Sequence, residues 1–127
     1  MDERSAVITL DGVQYELLLT TRATREIAKR YGGLENLGES LMKSENFEMA
    51  LDEVISLIVL LANQPIMIHN LKHPEDKKEL LTTDLVELLT SPYDLSEYKD
   101  AIMEAMVRGT RRNVESEDSG GKNKRAG

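Results

Sequence analysis

Few residues in this sequence have the type and spacing that chemistry needs. His69 and His73 stand four apart, with Glu75 and Asp76 just beyond them. On a helix, two histidines at i and i+4 share a face, which is how many zinc sites begin. Pro74 and the charged run 72–78 predict a loop instead, and no spacing fixes a third ligand. The reading is two exposed loop histidines and no metal. The carboxylate pairs Asp52-Glu53 and Glu75-Asp76 would need a cleft and burial to separate their pKa values for acid–base work. On faces expected to be wet they are solvated surface. Gly120-Gly121-Lys122 has no strand before it, so it is not a phosphate cradle, and neither GxGxxG nor GxxxxGK[ST] occurs. A serine nucleophile needs a base that a third group orients, and no such order is legible. The expectation is no catalytic residue, no cofactor-binding residue and no metal ligand: not an enzyme.

Composition narrows the partners. The 127 residues carry 16 Lys and Arg against 23 Asp and Glu, a net charge of −7. An acidic chain lacks the clustered positive charge that nucleic acid demands. There is no cysteine, which removes disulfides, thiolate zinc sites and cysteine nucleophiles together. With no Trp, one Phe and four Tyr, stacking platforms for bases are not expected. The most apolar run, Val54–Ala62, is nine residues long, and a bilayer span takes about 20. The acidic start MDERSAVITL does not read as a secretory signal. A soluble intracellular protein with an aliphatic core is expected, with no membrane and no nucleic acid among its partners.

The elements that must position any site follow from local chemistry. Asp11-Gly12 between Ala6–Leu10 and Val13–Leu19 is a hairpin signal, because a type I′ turn needs positive φ at both central residues. Thr20-Thr21 offers a cap to a helix whose stripe is Ala23, Ile27 and Tyr31, and Gly32-Gly33 ends it. A short second helix points Leu34, Leu37 and Leu41 inward. Asn46 is placed to cap a third, whose seam is Phe47, Leu51, Val54, Ile58 and Leu61. Gln64-Pro65 is expected to stop that helix, leaving Ile66–His69 extended. Residues 80–90 predict a short helix capped by Thr83. Asp94 and Glu97 have capping-box spacing for the last helix, which lines Leu95, Tyr98, Ile102, Ala105 and Met106 along one face as far as Gly109. Beyond Thr110 the chain is charged and Gly/Ser-rich, so residues 111–127 are expected to be disordered. That tail has five bases and three acids, leaving −9 on residues 1–110.

Residues 21–42 imitate a helix-turn-helix, whose second helix would enter the major groove. Here that helix carries Glu35 and Glu39, which phosphates repel. Methionine is the more telling excess, with six in the chain. It is flexible and overused on surfaces that adapt to partners. The last helix, with Ala101 to Val107 apolar except Glu104, is unusually apolar for a terminal helix. Met42, Ile102, Met103, Met106 and Val107 are therefore the candidate partner-binding residues.

The order of elements is familiar. "ITLDGVQYELLLT" leads into "REIAKRYGGLENL", then "ALDEVISLIVLLAN", then "TTDLVELLTSPYDLSEYKDAIMEAM". Over roughly residues 5–108 this resembles the tail assembly chaperones of long-tailed bacteriophages and prophages. The resemblance implies a non-enzymatic protein of the bacterial host cytoplasm. It would bind and solubilise the tape-measure protein, help recruit tail tube subunits, and be absent from the mature virion. It also implies a longer product made by ribosomal frameshifting, while the seam on the third helix predicts self-association. Lys122-Asn123, which A AAA AAC can encode, would suit a slippery heptamer. The alternatives are a structural phage morphogenesis component, such as a connector or tube-associated protein, and a helix-turn-helix DNA-binding regulator. The expected fold is mainly α: an N-terminal β-hairpin (6–19) packed on a bundle of four to five helices in one domain, residues 1–110, followed by the tail.

Overall fold

The computed structural model describes residues 4–43 and 47–119, with side-chain surroundings for 4–40 and 51–110. The order is β1 (Ser5–Leu10), β2 (Val13–Leu18), α1 (Thr21–Tyr31), α2 (Leu34–Lys43), α3 (Phe47–Lys72), α4 (Thr83–Leu89) and α5 (Pro92–Ser119). The protein is mainly α, and its described residues form an N-terminal antiparallel hairpin on five helices. Asn46, expected to cap α3, lies outside the described residues, as do 120–127 and the side chains of 111–119. The helical backbone of α5 runs on past Gly109, where the sequence reading ends it.

Asp11 and Gly12 take φ of 52° and 78°, so the turn has the handedness that a two-residue hairpin needs. The register sets Ala6 opposite Leu17, Ile8 opposite Tyr15 and Leu10 opposite Val13. Ala6, Ile8, Leu10 and Leu17 turn inward, and the hairpin lies with β1 against α5 and β2 against α3. Thr20 caps α1 by accepting from Ala23 N–H, and Gly32 ends it in the left-handed conformation, donating to Ala28 O. Of the i,i+4 pairs that Arg22, Glu26 and Arg30 could make, Glu26–Arg30 forms at 3.6 Å, while Arg22 reaches Met67 Sδ.

α3 is the axis of the core, with Val54, Leu57, Ile58 and Leu61 buried. It does not stop at Gln64-Pro65. The helix carries Pro65 inside it and continues to Lys72, so Ile66–His69 is helical rather than extended. A proline removes one helical hydrogen bond and crowds the preceding turn. The buried Gln64 beside it ties the helix to its neighbours instead: its Nε2 donates to Leu60 O, and its Oε1 accepts from the Thr20 hydroxyl on the α1 cap. Tertiary packing on both sides of Pro65 outweighs the local penalty. One consequence is that Leu51–Lys72 is long and apolar enough, by length and composition, to cross a membrane, although in this fold it is the core helix.

Two helix starts are also shifted. Thr82, not Thr83, caps α4, accepting from Leu85 N–H at 3.2 Å. The capping box of α5 is Ser91–Asp94, not Asp94–Glu97. Ser91 N–H donates to Asp94 Oδ2 (2.9 Å) and Asp94 N–H to Ser91 Oγ (3.3 Å), with Pro92 in the first helical position.

The second half of α3 also holds the strand-like segment before α4. Asn63 donates to Leu81 O (2.9 Å) and accepts from Leu81 N–H (2.7 Å). Asn70 does the same with Lys78, at 3.0 and 2.8 Å. Seven helical residues rise about 10.5 Å, close to the length of three extended residues. Each asparagine amide thereby acts as a surrogate strand partner, and residues 78–81 run antiparallel along the helix.

Candidate partner-binding surface

The apolar face of α5 is mostly core. Ile102 is fully buried and Met106 nearly so, alongside Leu95, Tyr98 and Ala105. They pack against the hairpin and α3, which cover them in the folded domain. Periodicity located the face correctly but could not say that this chain itself covers it. Met103 is half-buried over α2, where a Cβ at Gly38 would lie 3.5 Å from its Cε. Val107 is exposed at 46%. Met42 belongs to α2, and its side chain lies outside the described residues.

The histidines are not both in a loop. His69 sits in the last turn of α3, half-buried, with Nε2 2.8 Å from Asp76 O. Its ring lies 4.7 Å from that of His73, centroid to centroid. Asp76 Oδ2 is 3.9 Å from His69 Nε2. The group ties the loop to the helix end. Among the described residues, no set of three or more His, Cys, Asp or Glu is gathered to hold a metal ion. Asp52, Glu75 and Asp76 are exposed, and Glu35 and Glu39 stand on the wet face of α2.

Two open clefts flank the end of α3. One, of about 370 Å³, is lined by Val13, Tyr15, Pro65, Ile66 and His69 among others. The other, of about 270 Å³, is lined by Thr20, Arg22, Gln64, Met67, Ile68 and Leu71. The first also has Glu16, Lys78 and Glu79 on its wall, whereas the second has Arg22 as its one charged side chain.

Among the described residues, several exposed apolar side chains fall close together in sequence elsewhere. On α4 only Val86 is buried, while Leu85, Leu88 and Leu89 are exposed at 43%, 82% and 41%. Just beyond, Tyr93 is 71% exposed. A hydrogen bond and the charge of Glu97 hold the Tyr93 phenol above its ordinary pKa. Sequence reasoning passed over this patch. The signal was present, because four apolar residues in a seven-residue helix exceed what one packed face needs.

No known protein family, curated protein or solved structure matches this chain.

Proposed function

We propose that this protein is a tail assembly chaperone of a long-tailed phage or prophage. It is non-enzymatic, binds and solubilises the tape-measure protein and helps recruit tail tube subunits. It works in the host cytoplasm and is left out of the mature virion. Besides the resemblance over residues 5–108, the observation that carries this reading is the surplus of exposed apolar helix surface. Leu71, Leu88 and Tyr93 are each more than two-thirds exposed on a small acidic domain. Exposed apolar side chains of this size suit a protein that works by binding another.

The test is co-expression of the full chain with the longest coil-rich open reading frame just downstream of its gene, followed by a pull-down. The chaperone reading expects the downstream protein to become soluble and co-purify. Continued insolubility without binding, even with a frameshifted extension present, overturns it. Mass spectrometry of purified virions separates this role from that of a structural component, which would remain in the particle.

A further inference from the structure

We propose that the α4 face is a docking surface for a basic amphipathic helix of another protein, a proposal that stands whether or not the client is a tape-measure protein. Leu85, Leu88 and Leu89 follow helical i, i+3, i+4 spacing, so they form one continuous stripe of about 100°. A ridge of that shape packs into the grooves of another helix. Val86, beside the Leu89 edge of the stripe, is buried and anchors α4, and exposure is greatest at Leu88, the far edge.

Charge selects the occupant. From Glu79 to Tyr98 the chain carries Glu79, Asp84, Glu87, Asp94 and Glu97 and not one Lys or Arg. Asp84, Glu87 and Glu97 are exposed, and Asp94 is half-exposed. An apolar stripe with an acidic rim is complementary to an apolar stripe with a basic rim. A second copy docking through the same face would set these carboxylates against themselves, as a two-fold contact must. The basic helix of a second copy, α1, offers Arg22, Arg25 and Lys29 to the solvent, but its apolar stripe, Ala23 and Ile27, is already buried. An anionic membrane would be repelled by the rim.

The test uses the full chain and fluorescein-labelled model peptides, read by fluorescence anisotropy. The binding probe is a two-heptad peptide with leucines on one helical face and lysines on the other. One control replaces its lysines with glutamates, and another scrambles the sequence. The expected result is saturable binding of the Leu–Lys peptide, weakened by salt, with no binding of the Leu–Glu peptide. The scrambled peptide should bind about tenfold more weakly. L88S should also weaken binding about tenfold at an unchanged melting temperature, because Leu88 is 82% exposed and supports little of the fold. V13S, at the hairpin turn, should bind as the parent does, because Val13 is an exposed apolar residue outside the α4 face. Three results overturn the proposal: no binding of the Leu–Lys peptide, equal binding of the scrambled peptide, or L88S binding as tightly as the parent. A concentration-dependent dimer that L88S abolishes also overturns it, since the occupant is then a second copy.

Discussion

Asn63 and Asn70 make the same two hydrogen bonds, but one pair is buried and the other is wet, so they form a controlled experiment. In N63A the Leu81 N–H and C=O lose both partners at a site where Leu81 is 4% exposed. An unsatisfied buried polar group costs about 1–3 kcal/mol. Two of them, partly relieved by a water entering the vacated space, should cost about 3 kcal/mol. In N70A the Lys78 N–H and C=O turn to solvent instead, so only the net worth of two hydrogen bonds is lost, about 1 kcal/mol. Urea unfolding followed by circular dichroism reads the difference. With a slope of about 1.5 kcal/mol/M, N63A should lower the midpoint by about 2 M and N70A by about 0.7 M. The slope itself should stay constant. Equal shifts for the two variants, or a shift under about 0.5 M for N63A, would refute the claim that burial sets the strength of this clamp.

Two glycines on neighbouring helices should respond in opposite directions. G38A places a Cβ at an ordinary 3.5 Å from Met103 Cε and should gain about 0.5–1 kcal/mol of helix propensity in thermal unfolding. G109A forces a Cβ to 2.8 Å from Leu19 Cβ, an atom fixed to the backbone, and should lose about 1–2 kcal/mol net despite the same propensity gain. Tyr98 donates its hydroxyl to Thr9 O at 2.6 Å, and Y98F should cost about 1 kcal/mol at neutral pH. Burial first, then Asp94 and Glu97, raises the Tyr98 pKa, so the folded state holds that proton more tightly than the unfolded chain. The resulting stability is complete below the unfolded value of about 10 and is lost as pH rises through the folded value. A melting series from pH 8 to pH 12 should therefore fall less steeply for Y98F than for the parent. S91A removes one half of the α5 capping box and should cost about 1 kcal/mol by the same unfolding assay.

The parts of this fold that sequence reveals are those decided within a few residues. Asp11-Gly12 sets the turn through its own backbone preferences. Thr20 and Gly32 mark α1 through groups they cap themselves. The inward face of α5 follows from a periodicity that Leu95, Tyr98, Ile102 and Ala105 all obey. What sequence hides is decided at a distance. Pro65 reads as a stop until the buried Gln64 and the packing on both sides of it are in place. Ser91-Asp94 and Asp94-Glu97 both fit the capping-box pattern, and only the chain's entry into α5 selects between them. The Asn63 and Asn70 clamps need a partner segment whose course no local pattern gives. The site suffered from the same gap. An apolar helix face announces that something covers it, not whether the cover is another protein or the chain's own hairpin.

The first element of the chain leans on the last. Tyr98 reaches back to Thr9, and Arg108 donates to Ser5 O, contacts that span 89 and 103 residues. On the ribosome, the hairpin therefore emerges first and finds its seat last. Until α5 is synthesised, Ala6, Ile8 and Leu10 have no lid, and the nascent domain presents a sticky half-built sheet to its surroundings. Closing so long a loop makes folding slower than a helical protein of this size would otherwise allow. Polypeptides released before α5 is complete should be the aggregating and proteolysed species, and they mark the stage of synthesis at which this protein itself most needs a holdase.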